Sequence, residues 1–421
     1  MSLPHTKSYY AASVNENINY PPLRGEQSAD VCVIGAGFTG ISTALHLAER
    51  GYNVHVVEAN KVGWGASGRN GGQMIGGISG EKAIIKSAVD DDMLWEMRWA
   101  GHAIIRQRVE QYGIQCDLKN GYADVAINKR HVRALQAEYD ELQRRKFPHD
   151  VRLLNKDKTR ATIGTNAYIG ALVNMGNGHL HPLNLCIGEA SAAVSKGATI
   201  YEGSTVTRIE HGPRPTVVTD QGRVSADTVV IAGNAYHYLE KKLRGIMFPV
   251  NSFIIATEPL TAEQVDSVNP QDLAICDPNF VIEYFRLSAD KRMLFGGRMN
   301  YFGDDPQVIE RHHRRAMLRL YPQLEGITVD YAWGGTIGVP IHRVPQMGRV
   351  APNVFYSQGY SGHGVNVTHL AGQILADAIA GTMERFDIFA NIKPIRFPGA
   401  HTFRKPLVSL GVLYYQIRDK F

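Results

Sequence analysis

The chain has 421 residues, of which 44% are hydrophobic and 20% are charged. Such a composition is typical of a folded protein and not of a disordered one, and the length exceeds the ~100–200 residues of an ordinary domain, so we expect two domains or one two-lobed unit. Lysine and arginine number 45 against 40 aspartates and glutamates, and the net charge of +5 is too small to indicate a nucleic-acid partner.

Cysteine content and hydropathy bound the cellular setting. The four cysteines, at positions 32, 116, 186 and 276, have no spacing typical of a zinc site or of a disulfide framework, so we predict no metal site. No segment approaches the ~20 apolar residues of a membrane span, and residues 1–29 lack the apolar core of a signal peptide. The sequence therefore predicts a cytoplasmic protein without a membrane span, in which the apolar residues 407–415 pack on the body.

The first strong pattern follows an irregular, proline-containing arm at residues 1–29. Residues 31–34 are typical of a buried strand, residues 41–48 place apolar side chains on one face of a helix, and residues 53–57 form a second apolar strand. A glycine-rich turn joins the first strand to the helix. The order of these elements predicts a βαβ unit, which is typical of an open sheet of parallel strands.

Two helices and a hairpin are predicted next. Helical spacing of apolar residues predicts helices over residues 81–110 and 129–145. Between them, the pair Asn120 and Gly121 is a frequent hairpin turn, so residues 114–127 are predicted to form two strands bent at that pair.

Shorter elements lead into the second half of the chain. Proline in the first turn predicts a helix over residues 182–196, and alternation predicts a strand over residues 198–209. Gly222 marks a hairpin, and the apolar residues 229–233 end in glycine, as do strands that lie beneath a nucleotide in an α/β sheet. Later strands alternate with a period of two residues and predict an antiparallel sheet over residues 252–257, 281–287 and 293–297.

The last third of the chain returns to glycine-rich turns and apolar helices. Residues 311–315, Arg-His-His-Arg-Arg, are typical of a solvent-exposed helix face. A glycine-rich segment at residues 354–364 then opens a helix over residues 365–379. We therefore predict an α/β fold with a discontinuous Rossmann-like domain and an inserted α+β domain built on the antiparallel sheet.

The predicted division assigns residues 1–29 to an N-terminal arm and residues 386–421 to a C-terminal segment. The nucleotide-binding domain is predicted to comprise residues 30–80, 180–245 and 331–385. The substrate domain is predicted to comprise residues 81–179 and 246–330.

The turn after the first strand has the pattern GAGFTG at residues 35–40. Between a predicted strand and a predicted helix this is a dinucleotide fingerprint, in which Gly35 permits the tight turn, Gly37 lets a pyrophosphate approach the main chain, and Gly40 allows close packing. The helix N-terminus offers N–H groups and partial positive charge to the phosphates. Glu58, at the end of the second strand, is placed to accept hydrogen bonds from a ribose.

Two further glycine-rich loops favour FAD over NAD. Residues 63–73 contain five glycines, and residues 359–364 form another glycine turn that opens a helix. Each loop alone is compatible with a surface turn. A flavin, unlike NAD, needs a second cradle and a positive dipole to stabilise the negative charge it gains on reduction. Together the loops predict FAD.

Several segments together resemble the D-amino-acid oxidase superfamily of FAD-dependent amine oxidoreductases. They are the first βαβ unit, GASGRNGGQ at residues 65–73, DTVVIAGNAY at 227–236, YFRLSADKRMLFGGR at 284–298 and GYSGHGVNVTHLAG at 359–372. SYYAAS at residues 8–13, SGRNGGQ and RLSAD resemble the gamma-glutamylputrescine oxidase branch in particular. The resemblance covers most of the chain.

The resemblance implies a set of FAD contacts, of which Val206 is expected to touch adenine through its backbone. The implied residues are Gly35, Gly37, Phe38, Thr39, Gly40, Glu58, Ala59, Gly65, Ala66, Ser67, Arg69, Asn70, Gly71, Gly72, Gln73, Val206, Ala232, Gly233, Gly335, Gly359, Ser361, Gly362, His363, Gly364 and Val365. Related enzymes with covalent FAD attach it to a histidine of the first glycine-rich loop or to a cysteine near the flavin. This chain has neither at those places, so we predict noncovalent FAD.

The substrate is expected against the antiparallel sheet. The predicted catalytic and substrate-binding residues are Tyr284, Arg298, His342 and His363, with Arg286 as a further candidate for the pocket wall. A gamma-glutamyl substrate favours an arginine for its carboxylate and an acid such as Glu283 for its ammonium group. Strand alternation places Glu283 and Tyr284 on opposite faces, so only one is expected in the pocket. The alternatives are ion pairs for the arginines, a loop hydrogen bond for His342 and a backbone role for His363.

The resemblance implies oxidative deamination of a small-molecule amine. The substrate implied is gamma-glutamylputrescine, in putrescine catabolism, and the products are gamma-glutamyl-aminobutyraldehyde, ammonia and hydrogen peroxide; sarcosine, glycine and D-amino acids are alternatives. The lysine that activates oxygen in related sarcosine oxidases is absent from residues 293–298. Molecular oxygen and another electron acceptor therefore both remain open, as does a flavoprotein that binds or assembles without turnover.

Overall fold

The structure, a computed structural model, describes residues 3–85, 90–237, 239–279, 282–300 and 305–397, with the backbone alone at residues 298–300. Its helices are α1 (Tyr9–Ala12), α2 (Phe38–Ala48), α3 (Glu81–Ile85), α4 (Asp91–Gln111), α5 (Lys129–Arg144), α6 (Lys156–Ile163), α7 (Pro182–Ser195), α8 (Ala262–Val268), α9 (Pro306–Leu320), α10 (Gly364–Ile379) and α11 (Glu384–Ala390). Its strands are β1 (Gly25–Ile34), β2 (Val54–Val57), β3 (Gln73–Met74), β4 (Lys119–Ala126), β5 (Val151–Asn155), β6 (Gly170–His179), β7 (Thr199–Tyr201), β8 (Val206–Glu210), β9 (Thr216–Thr219), β10 (Gly222–Ile231), β11 (Phe248–Pro259), β12 (Ala274–Cys276), β13 (Tyr284–Leu287), β14 (Arg292–Asn300), β15 (Val329–Val339), β16 (Gln346–Ala351) and β17 (Val354–Gln358).

The first sheet has a parallel centre, as the βαβ pattern predicts. Its strand order is β16-β17-β10-β1-β2-β7, with β9 paired to β10 and β8 paired to β9. β1 runs parallel to both β10 and β2, so the carboxyl ends of these strands meet at one edge of the sheet. That edge is where nucleotides bind in open α/β sheets. The predicted Rossmann-like unit, β1-α2-β2, is confirmed.

The second sheet is antiparallel apart from one pair of strands. Its order is β15-β11-β14-β13-β12-β4-β6-β3, with β5 paired to β6. β12 and β4 are parallel neighbours, with Cys276 in register with Asp124. This pairing brings together two segments that are distant in the chain, and residues of both strands line one cavity.

A buried polar cluster ties the helices of the nucleotide-binding half together. Arg108 of α4 donates to Glu189 of α7 over 2.9 Å, and His369 of α10 lies 3.0 Å from the other oxygen of that carboxylate. None of the three side chains is more than 4% exposed. Burial acts to raise the pKa of Glu189, but His369 and Arg108 outweigh it and lower the pKa to about 2. The cluster therefore fixes α10 against α4 and α7 as a charged unit.

The predicted hairpin over residues 114–127 is wrong. Strand β4 runs without a turn through Asn120 and Gly121. Gly121 has a φ of +113° and lies at a register shift between β4 and β6, so the glycine forms a bulge. The positive φ at this position is a backbone conformation that favours glycine.

Other predicted elements differ in their bounds. The predicted strand over residues 198–209 is divided into β7 and β8, because the carboxylate of Glu202 turns back to accept hydrogen bonds from the backbone of Val62 and Tyr20. The predicted helix over residues 81–110 is divided into α3 and α4, and Asp90 caps the second. Residues 407–415 and residue 281 lie outside the described parts of the chain.

The basic run at residues 311–315 lies on α9, as predicted, but it is not wholly exposed. His313 is 1% exposed and its ring lies 2.9 Å from the carbonyl oxygen of Ile309, whereas Arg311 and Arg315 face solvent. Across the described ranges no helix combines the length and the apolar character needed to cross a membrane.

The division of the chain into domains remains a proposal. Two segments pair differently from what it suggests. β3, which we assigned with residues 30–80, pairs with β6, and residues 331–339, which we assigned to the nucleotide-binding domain, belong to β15 and pair with β11. Both segments therefore belong to the antiparallel sheet, since their main-chain hydrogen bonds are made there.

Candidate functional site

A cavity of about 1150 Å³ is lined by both sheets. Most of the predicted cofactor residues lie on its wall: Gly35, Gly37, Phe38, Thr39, Glu58, Ala59, Gly65, Ala66, Ser67, Arg69, Asn70, Gly71, Gln73, Val206, Ala232, Gly233, Gly335, Ser361, Gly362, His363, Gly364 and Val365. Three predicted contacts, Gly40, Gly72 and Gly359, lie behind this wall. The fold thus brings segments from most of the chain to one cavity.

The turn between β1 and α2 is shaped by glycines that approach other main-chain atoms. Gly35 has a φ of +105°, which favours glycine. A Cβ on Gly40 would lie 1.9 Å from the carbonyl oxygen of Gly35, so Gly40 serves packing and not contact with a ligand. Gly37 begins α2 without a side-chain cap, and one of the first N–H groups, that of Phe38, donates to Ser67 over 2.9 Å. The other N–H groups of the first turn can serve an anion.

Glu58 stands at the end of β2 and is oriented by the main chain. Its two carboxylate oxygens each accept one hydrogen bond of 2.8 Å, from the backbone N–H groups of Ala36 and Asn60. Burial raises the pKa of Glu58, and these hydrogen bonds act in the opposite direction. Each oxygen retains a second lone pair, and the residue lines the cavity. The carboxylate can therefore accept hydrogen bonds from the hydroxyl groups of a ribose.

The loop at residues 63–73 is a self-supporting turn. Asn70 donates from its amide to the carbonyls of Ala66 and Ser67, and its oxygen accepts from the N–H of Gly72 over 2.8 Å. Gly72 has a φ of +69°, and a Cβ there would lie 2.2 Å from the carbonyl oxygen of Leu180. The loop is thereby pressed against the second sheet, and its neighbour Gly71 faces the cavity.

Arg286 supports this loop from behind. Its guanidinium donates to the carbonyl oxygens of Gly71 and Leu180 over 2.7 and 2.8 Å and to the hydroxyl of Tyr10 over 3.1 Å. The side chain is 4% exposed and is not among the residues that line the cavity. The expectation that Arg286 forms part of the pocket wall is therefore wrong; the arginine positions the loop and ties it to the N-terminal helix α1.

The turn before α10 closes the cavity from the first sheet. Ser361 has a φ of +53°, and His363 is the residue that precedes the helix. The hydroxyl of Ser361 and Nδ1 of His363 are buried without a hydrogen-bond partner among the described residues. Burial, assisted by Arg343, lowers the pKa of His363. Unpaired polar atoms at a helix N-terminus are expected where a polar ligand completes the hydrogen bonding.

The other predicted catalytic residues are only partly brought together. Tyr284 lines the cavity, and a Cβ on Gly71 would lie 2.7 Å from its ring. Glu283 faces away and accepts from Arg319 over 2.5 Å, in accord with strand alternation. His342 is not among the residues that line the cavity, and its ring accepts a hydrogen bond from the N–H of Val344 in its own loop. The side chain of Arg298 lies outside the described ones.

Four polar residues that sequence reasoning did not single out line the far end of the cavity: Tyr122, Asp124, Arg130 and Asp277. Tyr122 and Asp124 alternate in β4 with the apolar Ala123 and Val125, a pattern that indicates one cavity face and one core face. The predicted hairpin at Gly121 hid that alternation. His237, whose two ring nitrogens are buried without a described partner, also lines the cavity and was not predicted.

The two acids at this end have raised pKa values. Burial, assisted by Glu138, raises the pKa of Asp124 to about 7, although the Tyr122 hydroxyl acts against the shift. Burial also raises the pKa of Asp277 to about 6, opposed by the N–H of Glu283. A carboxylate in this situation gains most from a cationic ligand, because the ligand restores the interactions lost with water.

The site fits FAD on its own geometry. One end offers an uncapped helix N-terminus, a glycine turn and an oriented carboxylate, which suit a pyrophosphate and a ribose. The self-supporting loop at Gly71 and the unpaired polar atoms before α10 suit the ring system at the middle of the cavity. Within the described ranges no group of three acidic, histidine or cysteine side chains is arranged to hold a metal ion.

The chain is similar to known proteins over nearly all of its length. The family model described as FAD dependent oxidoreductase matches residues 30–378. The chain is 42% identical over 421 residues to Gamma-glutamylputrescine oxidoreductase of Escherichia coli, with 99% of each chain covered. It is 41% identical to Probable oxidoreductase OrdL of Haemophilus influenzae, covering 99% of this chain and 98% of the relative. Among solved structures, glycine oxidase from Geobacillus kaustophilus superposes with a TM-score of 0.73 at 21% identity, over 89% of this chain and 100% of that one, and therefore shares the fold.

Proposed function

The chain belongs to the family of FAD-dependent oxidoreductases, and on that premise we propose that it oxidises gamma-glutamylputrescine at its primary amine. The amine carbon loses a hydride and the nitrogen loses a proton, which gives an imine. Water then hydrolyses the imine to gamma-glutamyl-aminobutyraldehyde and ammonia. The two electrons pass to oxygen, giving hydrogen peroxide, or to another acceptor.

One observation carries the choice of substrate. The relative that matches 99% of this chain at 42% identity is named for gamma-glutamylputrescine. The cavity supports the same choice, because its far end carries both acidic and basic side chains, Asp124, Asp277 and Arg130, beyond the residues that suit FAD. A long substrate with a charged head and a reactive amine at its tail suits a cavity of that composition.

The protein's part in the reaction is to hold the two reactants and to exclude water. When bound, FAD accepts the hydride from the carbon next to the amine nitrogen. Glu58 and the first turn of α2 would hold the ribose and phosphates, and the loop at Gly71 together with the N-terminus of α10 would hold the ring system. Positioning of this kind supplies much of the rate in the absence of a dedicated base.

The reacting nitrogen must be uncharged, since an ammonium group has no lone pair to assist departure of the hydride. Tyr284 joins a small apolar cluster with Ile75, Ile282 and Cys276 on the cavity wall. An amine placed among these side chains is removed from water, and desolvation favours its neutral form. The acids Asp124 and Asp277 line the same cavity beside Tyr122 and Cys276, where an ammonium group is better tolerated than among the apolar side chains alone.

The test is an anaerobic titration of the purified holoenzyme. We expect gamma-glutamylputrescine to bleach the visible absorbance of oxidised flavin completely, with one aldehyde and one ammonia formed per flavin. Sarcosine, glycine and D-alanine are the comparison substrates. Persistent absorbance with gamma-glutamylputrescine and bleaching by one of the others would assign the enzyme to that substrate. Reoxidation in air, compared with reoxidation by an artificial electron-accepting dye, then identifies the class of acceptor.

A further inference from the structure

The cavity wall beyond the flavin loop has a defined order of contacts. Gly71 abuts the ring of Tyr284, which packs with Cys276 and Tyr122 in one cluster. Tyr122 shares the cavity face of β4 with Asp124, and Asp277 directly follows Cys276 at the end of β12. Since β4 and β12 are parallel neighbours, the two acids project from the same part of the sheet. They therefore line the cavity beside Tyr122 and Cys276 on the second sheet, whereas Glu58 lines it from the end of a strand of the first sheet.

Asp277 is held in one orientation by its own loop. One of its oxygens accepts from the N–H groups of Glu283 and Asn279 over 3.0 and 3.2 Å, and the other accepts from the side-chain amide of Asn279 over 2.6 Å. Asp124 faces the hydroxyl of Tyr122, a side chain that is 1% exposed. Both carboxylates thus have a polar neighbour that orients them while the acid remains on the cavity wall.

Neither acid is compensated by a cation within the described parts of the chain: no ion pair joins Asp124 or Asp277 to a lysine or arginine there. Carboxylates removed from water without a counter-ion are costly, and a cationic ligand would offset that cost. The two acids therefore favour a ligand group that remains positively charged when it enters the cavity.

A basic residue of opposite charge lines the same cavity. Arg130 stands in the first turn of α5, where it is exposed, and its guanidinium has a distant contact of 3.5 Å with His131. A guanidinium offers two parallel N–H donors that match a carboxylate. Acid and arginine on one cavity wall together match a zwitterion, which is the chemistry of an amino-acid head group.

We propose that Asp124 and Asp277 bind the α-ammonium group of a gamma-glutamyl amine and that Arg130 binds its α-carboxylate, so that this end of the cavity selects substrates with an amino-acid head. The inference rests on the proposed function and adds the residues that recognise the non-reacting end. The reacting amine at the other end of the substrate lies among apolar side chains and reaches the flavin loop without its proton. The two nitrogens of one substrate are thus distinguished by the walls that surround them.

The decisive measurement is the affinity of the oxidised holoenzyme for unreactive analogues of the head group. Binding is monitored through the change it causes in the flavin spectrum. Gamma-glutamylbutylamine carries the whole head but no reactive amine, and glutarylbutylamine lacks only the α-ammonium group. We expect the wild-type protein to bind the first at least ~10-fold more tightly, because a hydrogen-bonded charge is typically worth one to two orders of magnitude in affinity. The α-carboxamide analogue tests the contribution of Arg130 in the same way.

The substitutions Asp124→Asn and Asp277→Asn are each expected to lower the affinity for gamma-glutamylbutylamine by at least ~10-fold. This loss of affinity should exceed the loss of affinity for glutarylbutylamine by at least ~5-fold. Arg130→Met should lower the affinity mainly for ligands that carry the α-carboxylate, and should affect the affinity for the α-carboxamide analogue much less. Asp150→Asn and Arg133→Met are matched controls, since both residues are exposed and neither lines the cavity. Retained FAD and an unchanged unfolding temperature show that each variant is folded.

The outcomes separate the two proposals. If the wild-type protein oxidises gamma-glutamylputrescine but the acid variants weaken both analogues equally, or weaken neither, the assignment of the head group is overturned and the proposed function stands. If the wild-type protein neither binds nor oxidises gamma-glutamyl compounds and accepts another amine, both are overturned. If Asp124→Asn loses its FAD, the charge-retaining Asp124→Glu replaces it. Asp124→Glu is expected to keep the preference for ligands with the α-ammonium group.

Discussion

The two ends of the cavity are constructed differently. At the cofactor end glycine-rich main chain forms much of the wall, from the turn after β1, the loop at Gly71 and the N-terminus of α10. At the substrate end side chains form the wall, and Tyr122, Asp124 and Asp277 line it from two neighbouring strands of the second sheet. The first end is therefore defined by what the backbone can do, and the second by which side chains the strands present.

This difference predicts how each end responds to substitution. A wall of main-chain N–H groups is insensitive to the identity of most side chains but fails when a Cβ atom enters the space between two backbone segments. A wall of charged side chains keeps its shape when a charge is removed, and changes its preference among ligands. The same fold can thus retain its cofactor while its substrate changes.

The largest effect is expected for Gly40→Ala. The new Cβ would stand 1.9 Å from the carbonyl oxygen of Gly35, and neither backbone segment can move without opening the turn after β1. We expect a loss of more than about 3 kcal/mol in the free energy of unfolding and a protein purified without FAD. Urea unfolding and the ratio of flavin to protein absorbance measure both.

Gly212→Ala is the control for that prediction. Gly212 has no heavy atom within 4 Å of the position of a Cβ, and its stability should change by less than ~0.5 kcal/mol. If Gly40→Ala kept its FAD and its stability, the close approach of main chain would not be what defines the cofactor end.

Glu58→Gln should give a smaller and more specific loss. Both carboxylate oxygens accept from backbone N–H groups, and a glutamine can offer an oxygen to only one of them. We expect the dissociation constant of FAD to rise by about 10- to 100-fold, as for the loss of a charged hydrogen bond. Titration of the apoprotein with FAD, followed by flavin fluorescence, provides the measurement.

Two comparisons sharpen the test of Glu58. Glu26→Gln, at a residue that is 82% exposed, should leave FAD binding unchanged. Asp124→Asn should also leave FAD affinity within about 2-fold of the wild type, because Asp124 belongs to the other end. Equal losses in Glu58→Gln and Asp124→Asn would mean that the two ends are not independent.

The smallest expected effect is a pH dependence confined to the substrate end. Burial raises the pKa of Asp124 to about 7, with Glu138 acting in the same direction and Tyr122 against it. A raised pKa means that the acid is ionised, and able to attract an ammonium group, only above about pH 7. We therefore expect the affinity for gamma-glutamylbutylamine to be complete above that pH and to fall by up to ~10-fold per unit below it.

The dependence should vanish where its cause is removed. Glutarylbutylamine, which has no α-ammonium group, should bind without this slope, and Asp124→Asn should flatten it for gamma-glutamylbutylamine. A slope that persists in Asp124→Asn would assign the titration to Asp277, whose pKa burial raises to about 6. FAD affinity over the same range should not follow it.

The cofactor end was predictable because its requirements are local. A positive φ at Gly35, a helix that begins after Gly37 and an acid after the next strand are conditions on neighbouring residues, so a contiguous pattern records them. The loop at Gly71 is equally local, with Asn70 bonding to residues three and four positions before it. Each segment therefore indicates its own conformation before the fold is known.

The substrate end was not predictable for the opposite reason. Asp124 and Asp277 line the same wall because β4 and β12 are parallel neighbours, a pairing that no local pattern indicates. The bulge at Gly121 added a second obstacle, because the pair Asn120 and Gly121 resembles a hairpin turn and conceals the alternation of β4. Arg286 shows the same limit: its strand was predicted, yet only the packing of Gly72 against Leu180 shows that it supports the loop from behind.

The sequence by itself determined the class of fold, the cofactor and most of the glycine-rich segments that line the cavity, since these depend on backbone conformations that glycines and a single acid encode locally. Tertiary structure alone decided which acids face the cavity, which arginine lies behind its wall and which stands at its far end. The positions of these side chains depend on strand pairing between segments that are distant in the chain. The free energy of that pairing comes from the whole antiparallel sheet, so no single sequence motif encodes it.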